Sequence, residues 1–386
     1  MYLERDVLTS EAIHIAEKIL ADICPSYSIR MVKSKNSCLY AVEVVNNSGE
    51  AIAAGKGRKE QALAGALFEA IEHHYYCDDS PTFESKYIPI ETLRSKNSQL
   101  NDMLPIRLYK KNKDVEVVDI MHVHTGEKIP FPLFLIFQNA GLCDEIVSRY
   151  ATNNGFAVGL NPYEAKIHAI NEVLERNALS THLVETFLTK NKPIRVVRPS
   201  SLTQPLRNVL CDLEQTIHAK IHMIDMTEFD GFYSYYVWTD ALKKLPLKGS
   251  GTSQNSELAL FRAMSELFQS FALYTIEEER MDDYTFELFK SVPQYRKMVT
   301  CDYKEVERVD VDFMNSQVSF ANCKEQYQYI LTLLKKHHLN GYEYEVETNN
   351  EISCYKIIVL EADNFQVVNQ GVMAIPRKIN FSSLNS

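Results

Sequence analysis

Residues 153–177 read NNGFAVGLNPYEAKIHAINEVLERN, a glycine-containing turn that runs into a long amphipathic helix. Glu164, His168, Glu172 and Glu175 follow at spacings of four, four and three, so all four lie near one helical face. Carboxylates stacked on one face repel each other unless something positive sits among them. A chain built around this stretch must bring cations to it, from its own side chains or from solution.

The pattern recurs. Residues 57–73 read GRKEQALAGALFEAIEH and residues 251–270 read GTSQNSELALFRAMSELFQS. In all three stretches a glycine turn leads into Ala, apolar, any, Glu, apolar, apolar, Glu or Gln. The register aligns Ala66/Glu69/Glu72 with Ala169/Glu172/Glu175 and Ala263/Glu266/Gln269. An earlier glutamate opens each helix: Glu60, Glu164 and Glu257. The copies lie roughly a hundred residues apart, a domain-sized period rather than a solenoid repeat. Any soluble amphipathic helix carries some glutamate, but ordinary surface helices do not share a register.

Bulk properties narrow the class. With 45% hydrophobic and 24% charged residues, the 386-residue chain can bury a sizeable core. Its formal charge of −10 argues against a duplex nucleic-acid binder held by phosphate neutralisation. Eight cysteines without a CxxC pair read as reduced, cytosolic thiols rather than a disulfide framework or zinc knuckle. The start, MYLERDVLTSEA, lacks the apolar core of a signal peptide. The longest apolar run, Ile129–Phe137, contains two prolines and is too short to span a bilayer. A cytoplasmic protein without a membrane segment is expected.

A first helix, capped by Thr9 or Ser10, is expected to end near Cys24. Hairpins are expected at 38–54 and 115–137, and no strong period marks Pro81–Pro105, which reads as a surface excursion. Strand-like runs follow at Ile194–Val197, Ile221–Met226 and Phe232–Trp238, with the third motif helix over Ser256–Ile276. A last helix is expected over Lys324–His338, then strands at Tyr342–Val346 and Lys356–Glu361. Hairpins followed by helices predict an α+β fold with antiparallel sheets, in one interlocked domain.

Paired carboxylates from facing helices can hold divalent cations. An almost all-oxygen ligand set selects magnesium over zinc or iron, and magnesium prefers a few carboxylates plus substrate phosphates. Lys56, Arg58 and Lys59 crowd the first glycine turn, and Arg176 and Arg262 add guanidinium forks suited to phosphate oxygens. Yet neither a Walker A loop nor GxGxxG is present. A nucleotide would have to bind by another route.

The run GKGRKEQALAGALFEAIEH resembles the first signature of the YcaO family; NNGFAVGLNPYEAKIHAINEVLERN resembles its second and RAMSELFQ its third. They occur in the family's order and spacing, and the likeness covers most of the chain. It implies one YcaO-like domain over 1–386, with nucleotide-binding motifs at about 55–76, 153–177 and 249–270 and a site built from three acidic helices. It also implies an enzyme that uses ATP and Mg2+ to phosphorylate a peptide backbone amide oxygen before a nucleophile attacks the activated carbon. A Cys, Ser or Thr side chain of the substrate gives an azoline by cyclodehydration, whereas an external sulfur donor gives a thioamide. By motif match, Glu69, Glu72, Glu172, Glu175 and Glu266 are the magnesium and phosphate-region acids. Lys56, Glu164, Arg176, Arg262 and Gln269 belong to the nucleotide. No nucleophile of the protein's own is implied.

The chain departs from the family pattern at Gly65 (usually Ser), His73 (usually Arg), Leu160 (often Asn, here shifted to Asn161) and Asn177 (commonly Asp). These departures keep open a catalytically silent binding subunit. The C-terminus, MAIPRKINFSSLNS, has one proline in place of the proline-rich tail of many azoline-forming members. No leader-binding domain fits ahead of Leu8, so a separate leader-peptide-binding or sulfur-delivery partner is expected beside the substrate peptide. A homodimer is compatible with all of this.

Other features have plain explanations. His73-His74, His122/His124 and His337-His338 read as surface, core-edge or helix-end histidines, and Glu277-Glu278-Glu279 as a solvated helix end. The aromatic run Phe232–Trp238 reads first as a packed sheet face and second as the lining of a substrate groove.

Overall fold

The computed structural model describes residues 4–77, 84–110, 113–138, 140, 145–240, 244–316, 318–349 and 351–377. Helix α1 (Thr9–Ile23) precedes an antiparallel sheet of β1 (Tyr27–Lys33), β2 (Tyr40–Asn46) and β3 (Ala51–Gly57), and β3 runs straight into α2 (Lys59–Cys77). Next come β4 (Lys86–Pro89), three short helices α3–α5 (Ile90–Lys96, Ser98–Asp102, Leu104–Leu108), β5 (Asp114–His122), β6 (Lys128–Pro132) and α6 (Glu145–Ser148). Strand β7 (Phe156–Gly159) feeds α7 (Pro162–Leu183). Then follow β8 (Ile194–Val197), α8 (Gln204–Ile217), β9 (Ile221–Asp225), β10 (Tyr233–Thr239) and β11 (Lys248–Ser253), and β11 feeds α9 (Ser256–Ala272). The chain closes with α10 (Ile276–Leu288), α11 (Pro293–Val299), β12 (Arg308–Val311), α12 (Cys323–Lys336), β13 (Gly341–Thr348) and β14 (Ser353–Val359).

Among the described residues the strands form three sheets, in the orders β1-β2-β3, β11-β10-β9-β8-β12 and β4-β5-β13-β14-β7, with β6 also on β5. All pairings are antiparallel except β8 with β12. Each sheet ends on one of the strands that feeds a motif helix: β3, β11 or β7. Every motif helix packs on its own strand and on the next one round: α2 on β7, α7 on β11, α9 on β3. These contacts close a ring and aim one face of each helix at a common centre.

The alanines of the shared register explain how the helices approach so closely. Ala66, Ala169 and Ala263 are fully buried. A Cβ built on Gly55 would lie 2.0 Å from the Ala62 carbonyl oxygen and 2.3 Å from the Ala66 nitrogen; on Gly249 it would lie 2.3 Å from the Ala263 carbonyl. Glycine on the strand facing alanine on the helix lets the two backbones touch, so the residues that follow on the helix face land deep inside.

The α+β class and both hairpins stand as expected. Leu8, without a side-chain bond, caps α1 instead of Thr9 or Ser10, because the chain turns one residue earlier. The described part of 81–105 is β4 and short helices that bury Ile90, Leu93 and Leu100, a period too brief to show in sequence. Strand β11, KGSGTS, was invisible because it lacks apolar side chains. The aromatic run is core: every residue of β10 is buried.

The histidines have structural partners. His124 Nε2 lies 3.0 Å from the Leu331 carbonyl, and His337 Nε2 lies 2.8 Å from that of Asp230. Glu277–Glu279 form the exposed first turn of α10, behind a Thr275/Glu278 capping box. Among the described residues no helix is long and apolar enough to cross a membrane.

Candidate functional site

The three motif helices deliver Glu69 and Glu72 from α2, Glu172 and Glu175 from α7, and Glu266 from α9 to one hollow at the ring's centre. Each acid feels an acid of another helix: Glu69 and Glu72 feel Glu172, and Glu175 feels Glu266. Cations stand between them. Lys56 of β3 reaches across to Glu266 of α9, Nζ to Oε2 3.2 Å. Arg176 lies 3.7 Å from Glu172 Oε1 and feels Glu175, Glu266 and Glu69 as well. The hollow is partly open to solvent, with the Glu69 side chain 42% exposed and those of Glu172 and Glu266 27% and 21%.

The backbone and small polar groups fix these acids. Glu172 Oε2 accepts from Gly155 N–H at 3.2 Å; Glu266 Oε2 accepts from Ser250 N–H at 3.1 Å, while Ser250 Oγ donates to Glu175 at 2.6 Å. Burial pushes Glu69 up, and Glu172 adds to it against the opposing pull of His73 and Lys56. Glu72 is pushed well up by burial, Glu172 and Glu69, and Glu175 up by burial and Glu266. Burial also acts upward on Glu266, but Lys56 and Arg176 outweigh it and hold it below the usual carboxylate range. Burial and mutual repulsion thus disfavour the charged forms of Glu69, Glu72 and Glu175, which a bound cation would favour.

Lys356 is the third cation and went unnoticed in the sequence. It is buried on β14, donates to the Thr152 carbonyl at 2.9 Å, and feels Glu172 and Glu72. Burial lowers its pKa to about 8 against the pull of those acids. A lone lysine inside the apolar run CYKIIVL was the available signal. Five carboxylates face three cationic side chains, an oxygen-rich set with surplus negative charge that suits a hard divalent cation.

Glu164 and Arg262 sit apart from the acids, with the N-terminal segment. Glu164 accepts from the backbone N–H groups of Asp6 and Leu160, at 2.7 and 3.0 Å. Arg262 ion-pairs with Glu4, whose carboxylate also accepts from Ser253 (3.1 Å) and Asn171 (3.3 Å). Arg5 lies over the Phe68 ring, 4.8 Å from its centroid. Residues 4–6 therefore strap all three motif units together, a role nothing in the sequence announced. Enclosure, with Arg262 and Arg5 nearby, lowers His168 to about 3, so it stays neutral and adds no cation to the face. Gln269 lies one turn beyond Glu266 on α9, half-buried.

The three opening glutamates are not equivalent. Glu60 is exposed, Glu164 binds backbone, and Glu257 accepts from Thr203 Oγ1 at 2.5 Å. At position 73, His73 Nδ1 lies 2.7 Å from the Ile52 carbonyl, so that nitrogen carries the proton, and Nε2 lies 3.7 Å from Glu69.

Residues 54–361 match the family model described as YcaO cyclodehydratase, ATP- and Mg2+-binding. The chain belongs to the YcaO family. ATP and Mg2+ are accordingly the ligands of this YcaO chain, and the donor set of the hollow fits them. The fold agrees with that of YcaO from Methanopyrus kandleri bound with AMPPCP and Mg2+, at 19% identity and a TM-score of 0.70 over 98% of both chains. It is similar to a heterocyclase in complex with substrate and cofactor, at 13% identity, a TM-score of 0.69, and 93% and 53% coverage. The E. coli microcin synthetase McbBCD complex gives 14% identity and 0.62 over 88% of each chain. An uncharacterised protein of Methanothermobacter thermautotrophicus is 27% identical over 227 residues. The match spans 57% of this YcaO chain and 57% of that relative.

Proposed function

We propose that this YcaO protein uses ATP and Mg2+ to activate a backbone amide of a ribosomally made peptide, and that a Cys, Ser or Thr side chain of the peptide closes an azoline by cyclodehydration. The observation that carries the proposal is the meeting of five acids from three helices around Lys56, Arg176 and Lys356. Glu69, Glu72, Glu172, Glu175 and Glu266 would hold Mg2+. Lys56, Arg176, Arg262, Glu164 and Gln269 would serve the nucleotide. When bound, ATP supplies the phosphoryl group that turns the amide oxygen into a leaving group, and Mg2+ spreads the developing charge.

The protein's own part is placement. Ser250 and Gly155 lock three of the carboxylates, Lys56 ties α9 to β3, and Arg176 sits among acids of all three helices. Reactants held in one geometry need no protein nucleophile. A separate partner would deliver the substrate.

The test is mass spectrometry of candidate precursor peptides chosen from the genes that neighbour this one, after incubation with Mg2+-ATP and candidate partner proteins from the same genes. Loss of one water per modified residue is the expected result. Exchange of oxygen for sulfur would replace azoline by thioamide, and an unchanged peptide with no ATP consumed would mean a silent binding subunit.

A second expectation concerns Arg262. If its guanidinium takes a nucleotide phosphate, the Glu4 carboxylate now on it is a competitor. Glu4→Gln should then tighten AMPPCP binding in Mg2+ by about tenfold, the worth of one hydrogen bond to a charged group. Calorimetry showing unchanged or weaker binding would remove Arg262 from the phosphate site.

A further inference from the structure

A cavity of about 560 Å3 opens between the last turn of α1 and the last two turns of α2. Leu20, Ile23, Ile52, Ala70 and Tyr76 make its wall largely apolar, and Cys24 and Cys77 line it as well. Its polar lining residues are His73, His74, Gln138 and Asn153, and of these His73 and Asn153 belong to the acid cluster as well. His73 is pinned by Ile52 with Nε2 toward Glu69, and the Asn153 side chain bonds to Glu72. The inner wall of the cavity is therefore the outer wall of the acidic hollow.

Charge decides what it can take. Among the described residues no lysine or arginine lines it, so phosphate oxygens find no ammonium or guanidinium there. A cationic occupant would have to strip its water against an apolar wall. What fits is a neutral, apolar body with a polar end directed at Asn153 and His73. A volume of several hundred Å3 with few convergent polar groups is that of a ligand pocket.

We infer that this cavity receives an apolar or aromatic side chain of the substrate peptide, from the residue next to the amide that is activated, and so selects the sequence modified. The inference rests on the proposed amide activation for its choice of ligand. A peptide residue seated there lies against His73 and Asn153, whose side chains meet Glu69 and Glu72. Tyr76 supplies a fixed aromatic surface, held edge-on to Phe156 at 5.4 Å between centroids.

The test titrates the protein with acetyl-Phe-Cys-Gly-amide and acetyl-Gly-Cys-Gly-amide, with and without AMPPCP and Mg2+, by ligand-observed NMR. The Phe peptide should bind at least about tenfold tighter, as a filled apolar pocket provides. Cys24→Trp and Ile23→Trp, which fill the cavity, should each erase that difference while AMPPCP affinity stays at the wild-type value, which also reports an intact fold. Equal affinity for the two peptides, or a preference that survives both tryptophans, overturns the inference. Loss of AMPPCP binding in the wild type with the Phe preference intact would instead remove the nucleotide activity and leave the cavity assignment standing.

Discussion

Glu172→Gln is expected to weaken AMPPCP binding in Mg2+ by about a hundredfold or more, while the protein melts at or above the wild-type temperature. The two effects have opposite signs because Glu172 is crowded. It pushes both Glu69 and Glu72 toward protonation, so a neutral isostere relieves repulsion in the free protein. The glutamine oxygen can still accept from Gly155 N–H, and Arg176 keeps Glu175, Glu266 and Glu69 as partners. The same charge is what would hold a divalent cation beside Glu69 and Glu72. Calorimetry with AMPPCP and a thermal melt read the two sides separately. A variant that binds as well as wild type would remove Glu172 from the metal site, and one that melts far lower would make it a structural residue.

Gly55→Ala is expected to do the reverse, damaging the fold first. The added methyl would meet the Ala62 carbonyl oxygen at 2.0 Å and the Ala66 nitrogen at 2.3 Å, both backbone atoms of α2. Neither can move without the helix, so the cost should exceed about 3 kcal/mol. Because Lys56 follows on β3 and Glu69 lies one turn past Ala66, separating strand from helix also opens the acidic hollow. A thermal melt lowered by several degrees, with AMPPCP binding reduced, is the expected result; a wild-type melt would mean that β3 and α2 are not in backbone contact. Gly65→Ser should be mild by comparison, since a Cβ there meets Gly55 Cα at 3.6 Å and Lys56 N at 4.0 Å, both ordinary contacts.

The contrast between these two residues shows what could be read from the sequence. The shared register of alanine and glutamate was legible because it recurs three times, and the structure brings all five of its acids together. Helical periodicity alone placed them on faces; it could not say that the faces meet, which depends on α2 packing on β7, α7 on β11 and α9 on β3. Lys356 arrives from β14, nearly two hundred residues beyond Glu172, so its place in the apolar run CYKIIVL marks it as unusual without saying which acids it meets. Strand β11 escaped notice because glycines and hydroxyls replaced the apolar alternation that marks strands. The strap at Glu4–Asp6 was hidden for a different reason, since its partners Arg262, Asn171 and Asn161 lie more than 150 residues away. Glu164 appeared to complete the acidic face, yet at the helix start its carboxylate serves backbone N–H groups.

The most direct measurement is anomalous scattering from crystals grown with AMPPCP and Mn2+ in place of Mg2+. Metal peaks should lie within the hollow bounded by Glu69 and Glu72 of α2, Glu172 and Glu175 of α7, and Glu266 of α9, with the nucleotide phosphates alongside. Nucleotide density elsewhere on the molecule, or phosphates bound with no metal among these carboxylates, would contradict the proposed site.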